Sequence, residues 1–477
     1  MGRLGIVLVL FLAACASTPP RAPSRPPLEP ISWADDSPAL RLAALNRVSW
    51  GANRSSYADI ARMGTGHWLD AQLQPTDARL PVEPQATIDA MSISQRPLAD
   101  IASELEEKRR AFQNAAADER KAERQAYQEE LARLGREAQT RMLLRALYSP
   151  NQLEEHLTWF WMNHFSVFQF KGPLRALVAD YEERAIRPYS LGRFRDLVGA
   201  TARHPAMLIY LDNARSTANR INENYARELM ELHTLGVDGG YTQRDVEALA
   251  KILTGWSLDR AGELSRFYPR RHDYSEKQFL GRTIRGKGAA ELDQALDLLA
   301  RHPSTARFVS RKLAVFFVAD EPPDAMVARM ANTFLVTDGD IAQVLRTMFA
   351  STEFRASLGG KFKDPLHYAL SALRLVLDQR PLPDARPVIG ALALMGEPLY
   401  ARATPDGYPL MRTDWASPGQ LAQRFEIARG IAYRIPVRIP SDLAPPVGDS
   451  TRETLAKASS AQEWNLLLLS SPEFMYR

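Results

Sequence analysis

The residues best equipped for chemistry in this chain of 477 residues stand between His204 and Trp256. Asn224, Glu228 and Glu231 follow one another at steps of four and three, so on a helix turning about 100° per residue they share one face. Ile221, Tyr225, Leu229 and Leu232 lie about a quarter-turn away and are predicted to pack inward. The stripe then borders a core, where a carboxylate could be desolvated. Two such carboxylates joined by His164, His204 or His272 would also suit a divalent metal. Glu231 and His233 cannot chelate together from an unbroken helix, because they point about 200° apart. The structural alternative is a buried network of Asn, Glu and Arg227 that fixes helix packing.

The remaining polar residues each admit two readings. His164 follows Asn163 between Trp161 and Phe165, on a helix predicted to be buried, where a hydrogen-bonded core histidine fits as well as a ligand. His204 precedes Pro205 and suits a helix cap as much as catalysis. His272-Asp273 follows Arg270 and Arg271 in a polar loop, the kind of segment that carries function. Asp212 and Asn213 close an apolar helix, and Asn222-Glu223 open the next. Tyr408, within Pro405-Asp-Gly-Tyr-Pro409 and near Trp415, reads as a rigid turn or as an aromatic platform for sugar or peptide. The candidate catalytic residues are therefore Glu228, Glu231, His164, His204, His272 and Asp273, with Glu228, Glu231, His164 and His204 as candidate metal ligands. The candidate binding residues are Asn163, Asp212, Asn213, Asn222, Glu223, Asn224, Arg227 and Tyr408. Gly281 to Gly288 imitates a phosphate loop but lacks the Ser or Thr that would hold magnesium, and there is no His-Glu-x-x-His or Gly-x-Ser-x-Gly motif.

The elements that must position these residues are helical. Apolar spacing predicts helices at 152–165, 174–186, 190–202, 221–235, 242–254, 290–300, 303–317, 324–333, 341–351, 365–377, 385–395, 417–432 and 452–469, with few or no strands. Thr242 to Asp245 forms a capping box, and Thr337 to Asp340 is a turn that delivers a carboxylate to a helix start. Residues 101–147 are charged and free of proline, with Glu104–Lys108, Glu106–Arg110, Glu129–Arg133 and Glu137–Arg141 spaced for helix ion pairs. They predict a long helix or helical hairpin projecting as a solvated arm, or a partner-binding coiled coil. Ser351-Thr-Glu-Phe354 and Ser471-Pro-Glu-Phe474 echo each other as helix terminations. The fold class is all-α: N-terminal helices with the arm at 37–150, a core at 151–360 and a C-terminal helical region at 361–477.

The stretch His204 to Asn213, the long motif Asn222 to Asp245 and Thr254-Gly-Trp256 together resemble the signature of a bacterial family, domain of unknown function 1800 (DUF1800). Trp161-Met-Asn-His-Phe165, His272-Asp273 with Lys277 and Leu280-Gly281, and Ser471 to Phe474 match it too. The resemblance runs from about Leu40 to the C-terminus. It implies a secreted, largely helical protein, often encoded beside a second secreted family similar to sulfatases, which would be a partner. It brings no established activity.

The first residues set the address. Met1 to Arg3 is basic, Leu4 to Leu12 apolar, and Leu12-Ala13-Ala14-Cys15 resembles a lipobox. Residues 1–14 read as a signal peptide, too short in its apolar run for the roughly 20 residues that span a bilayer. Cys15, the only cysteine, would then be the lipidated N-terminus of a lipoprotein carrying palmitate or a similar acyl chain, followed by a Pro-rich linker to residue 36. Ala16 and Ser17 after the cysteine imply outer-membrane sorting, with the body in the periplasm or outside. A single cysteine excludes an intramolecular disulfide framework and any multi-cysteine metal site. With 60 Lys+Arg against 56 Asp+Glu, no field for nucleic acid is expected. The expectation is an envelope binding or assembly factor acting with a secreted partner. The alternative is an envelope hydrolase or metal-assisted enzyme built on Glu228 and Glu231.

Overall fold

Proline and a capping side chain mark where helices begin in this protein, because the first turn has backbone N–H groups to satisfy and no use for a proline N–H. Asp364 caps the helix Pro365–Leu377, Ser417 caps Pro418–Ala432 and His302 caps Pro303–Phe317, each accepting from a backbone N–H of the first turn. The capping box at Thr242 and Asp245 forms as expected and opens Gln243–Leu253. The structure, a computed structural model of the chain, describes residues 30–33, 35–259, 265–434 and 437–477. The signal peptide, Cys15 and most of the Pro-rich linker lie outside the described residues.

The body, Ile31–Arg477, folds as one unit. It is mainly helical, and among the described residues its strands form two antiparallel ribbons, Trp256–Leu258 with Ser265–Phe267 and Lys277–Phe279 with Arg282–Ile284. Its helices include α1 (Leu98–Asn114), α2 (Arg120–Tyr148), α3 (Gln152–His164), α4 (Asn224–Glu231), α5 (Pro303–Phe317), α6 (Pro365–Leu377), α7 (Arg386–Leu394) and α8 (Pro418–Ala432). One apolar core runs through the body, and α3 and α6 are buried along nearly their whole length.

The charged stretch is a helical hairpin, α1 and α2, broken at residues 115–119. Its tip is largely exposed, while Ile101, Leu105, Leu131 and Leu134 make a small separate core with Ala176 at its base. Of the expected ion pairs, Glu104–Lys108 and Glu106–Arg110 form, at 3.6 and 2.9 Å. Arg133 instead pairs with Glu130 and Glu137, and Arg141 turns inward to the Ala179 carbonyl. Exposed pairs of this kind contribute about 0.3–0.5 kcal/mol each, so burial at the base is what holds the hairpin.

Two other expectations resolve locally. Ser351 and Ser471 each cap a short helical turn by accepting from Phe354 and Phe474, at 3.1 and 3.2 Å, and each Phe drops into the core. The echo is thus a repeated device for ending a helix against the core. Residues 31–33, read as linker, pack on the body instead: Ile31 and Trp33 are buried, and Trp33 Nε1 donates to the Phe349 carbonyl.

Candidate functional site

Three chain segments singled out separately in the sequence meet at the C-terminal end of α3. The Asn163 carboxamide makes two hydrogen bonds to the backbone of Tyr408: Nδ2 donates to its carbonyl at 2.9 Å, and Oδ1 accepts from its N–H at 2.6 Å. Gly407 has φ +79°, and a Cβ there would stand 2.2 Å from the Asn163 carbonyl, so only glycine allows the approach. This clasp holds Asp406 where it acts on Tyr210, Glu228 and Lys312. Asn163→Ala is expected to cost about 1–3 kcal/mol, the penalty for two polar backbone groups losing their partner. Thermal unfolding of the variant checks it.

Next to the clasp, His164 Nε2 donates to the backbone carbonyl of His233 at 3.0 Å, which ties α3 to the end of α4. α4 stops at Glu231, so the unbroken helix assumed for Glu231 and His233 ends before the histidine is reached. His233 is fully buried, and neither of its ring nitrogens has a hydrogen-bond partner among the described residues; His164 Nδ1 is in the same state. Burial, followed by the nearby positive charge of Lys312, holds His233 down to about 3 and His164 well below its ordinary value. Both are neutral at physiological pH.

α4 presents the polar stripe much as its spacing predicts. Tyr225 and Leu229 are buried with Ala226 and Met230, Glu228 and Glu231 are half-buried, and Asn224 is exposed. Ile221 departs from the expectation: it precedes the helix and is 38% exposed. Burial raises the Glu228 carboxyl above its ordinary value, the neighbouring Glu231 and Asp406 charges add to this, and Arg227 opposes it. Lys312 of α5 is half-buried and makes no ion pair among the described residues. Burial lowers its amine to about 8, against the pull of Asp406. Tyr210 is pushed up to about 12 by burial and by Asp406 and Glu228, and Tyr241 is raised by burial and Glu231. Asp406 thus acts on both a carboxyl shifted upward and an amine shifted downward, the kind of perturbed pair found at sites of proton transfer.

Lys312 also links stability to pH. Because its amine binds its proton less tightly in the folded chain, folding releases protons between about pH 8 and 10.5. The lysine therefore destabilises the fold most below pH 8, and less as pH rises through that window. Lys312→Met is expected to raise stability at pH 7 by an amount of order 1 kcal/mol and to lose most of that gain by pH 10. Chemical denaturation at the two pH values measures it.

The other candidate residues lie elsewhere, in internal roles. His204 caps its helix, Nδ1 accepting from Ala206, while Nε2 donates to Asp180 at 3.0 Å. His272 is buried with both ring nitrogens facing acceptors, the Thr254 carbonyl and Glu291, each at 2.8 Å. Asp273 accepts from Ser275 and neighbours Lys277 at 3.7 Å. Asp212 adopts φ +60° and pairs with Lys171, and Asn213 is buried, donating to the carbonyls of Leu253 and Trp256. Asn222 caps the turn into α4 through Asn224, and Glu223 joins Arg227 and Gln243. Tyr408 is no platform: its ring is 8% exposed and its hydroxyl donates to the Pro398 carbonyl.

His204 and His272 are thus held in networks of their own, and among the described residues no group of three or more His, Cys, Asp or Glu side chains is placed to hold a metal ion. Sequence reasoning missed Lys312, Asp406, Tyr210 and Tyr241. Their only signal was local: a lysine just before the apolar end of its helix, and an aspartate beside a glycine that must be glycine.

No helix among the described residues is long and apolar enough to cross a membrane. No curated protein and no solved structure matches the chain. The model of the family described as protein of unknown function (DUF1800) matches residues 43–476, almost the entire body with the clasp, α4 and Lys312 inside it, and the chain belongs to that family.

Proposed function

We propose that this is a lipid-anchored protein of the cell envelope whose body is a hydrolase-type enzyme, with Glu228 as general acid and Lys312 or Glu231 as base. The observation that carries the reading is that Asp406 acts both on Glu228, beside Glu231, and on Lys312, which makes no ion pair among the described residues, so that three separate segments are linked. In such a reaction water attacks the scissile centre and gives a proton to the base, while Glu228 gives its proton to the leaving group. The test is turnover of ester, glycoside and phosphoester panels by the mature protein. Glu228→Gln is expected to lower kcat/KM by about 10²–10⁴-fold with the unfolding temperature unchanged. Activity indifferent to that substitution, or none on any panel, counts against the enzyme.

The signal and lipobox support export and anchoring through Cys15, probed by metabolic labelling with palmitate. Label that persists in Cys15→Ala would sink the anchor. The second reading is a binding or assembly factor working with a secreted, sulfatase-like partner. It is favoured by the internal use of His204, His272, Asn213 and Tyr408 and by the exposed, charged tip of the hairpin. Crosslinking in the native host should then capture one partner, and lose it when residues 113–125 are replaced by a short flexible turn.

A further inference from the structure

Away from the α4 region, α6, α7 and α8 enclose a groove of about 360 Å³ that no proposed step uses. Ala369, Leu373 and Leu377 recur every four residues along α6 and form its floor. Val388 and Ala391 of α7 line one wall, and Ile427 and Ile431 of α8 the other. Gly430, on the α8 side, has no atom within 4 Å of where a Cβ would stand, so the groove is open there. Two charged groups reach its rim. Asp384 is already paired with Arg386 at 2.9 Å. Arg434 is exposed and makes no ion pair among the described residues.

An apolar trough with one unpaired guanidinium at its mouth is complementary to a hydrocarbon chain that ends in an anion. The chain displaces water from the floor, and the guanidinium can hold a carboxylate through two N–H donors. A neutral lipid would leave the arginine unused, and a peptide would bring backbone polar groups to a floor with nothing to bond them. We infer that the groove between α6, α7 and α8 binds the acyl chain of a free fatty acid, with its carboxylate on Arg434. The site is separate from the α4 region and does not depend on an activity there.

The test uses the mature chain and a dansyl-labelled undecanoic acid, with oleate as competitor. The groove predicts saturable fluorescence enhancement that oleate reverses. Ala391→Trp, which fills the trough, should weaken binding by at least about 10-fold. Arg434→Glu should weaken the carboxylate probe by about 10-fold while leaving displacement by uncharged decanol unchanged. Circular dichroism and the unfolding temperature confirm that each variant is folded. Should Ala391→Trp fail to fold, Gly430→Leu blocks the open side instead. Absence of saturable binding, or affinity that survives the filling variants, overturns the assignment. So does binding confined to phosphatidylglycerol vesicles with none to free oleate, which would make this face a bilayer contact.

Discussion

Arg47→Met is expected to lower stability by of order 4 kcal/mol, among the largest losses from any single substitution proposed for the body. Arg47 is fully buried, yet it pairs with no Asp or Glu side chain among the described residues. Its guanidinium donates to the carbonyls of Phe317, Val318, Ser357 and Arg477 and to the Ser357 hydroxyl, so one side chain gathers the N-terminal helix, the end of α5 and the C-terminus. Burial and the neighbouring Arg477 charge hold its pKa well below the ordinary value. Methionine fills similar space but supplies no donor, and each buried carbonyl left alone costs about 1–3 kcal/mol. The same knot contains His156 and His367 in direct contact, Asp364 on His367 Nδ1 at 2.6 Å, and Arg477 donating to His156 at 3.1 Å. Removing Arg477 should therefore be nearly as damaging as removing Arg47. Calorimetry checks both, and a midpoint within about 1 °C of the parent, worth about 1 kcal/mol for a chain this size, would show that the knot is dispensable.

Glu291→Gln should come next, at about 3–5 kcal/mol, the usual cost of leaving one partner of a buried ion pair alone. Glu291 accepts from His272 at 2.8 Å, from Lys277 at 2.6 Å and from the Gly288 backbone at 2.8 Å, and the side chains of Glu291, His272 and Lys277 are fully buried. The neutral amide leaves the Lys277 ammonium with the Asp273 backbone carbonyl and, at 3.7 Å, the Asp273 carboxylate. A double substitution, Glu291→Gln with Lys277→Met, distinguishes a charge effect from a packing effect. If the buried charge is what costs, the pair should be more stable than Glu291→Gln alone. A double variant that is simply the sum of two losses would refute that account. The network pins the second ribbon to the helix that follows it, so the polar loop read as a place for catalysis is a place of fixation.

Much of the helical layout was legible. The helices 290–300, 303–317 and 365–377 begin and end where the apolar spacing and the prolines put them. The misses have local causes. The helix expected at 452–469 is two, Asp449–Ala456 and Ala461–Leu469, because Ser460 caps the second by accepting from Glu463. The helix expected at 174–186 is α-helical only to Asp180 and continues as a π-helical turn, a widening that apolar periodicity cannot reveal. The two ribbons have strands of only three residues, too short for alternation to register.

Family, helical class and the position of Glu228 and Glu231 on one half-buried face were present in the order of residues, because periodicity and capping act over three or four neighbours. Which charged groups meet was decided only by folding. Asn163 and Tyr408 are 245 residues apart, and Arg47 and Arg477 are 430 apart. A hydrogen bond across such a distance depends on the packing of every helix between its ends, and that packing, unlike a cap, leaves no local mark in the chain.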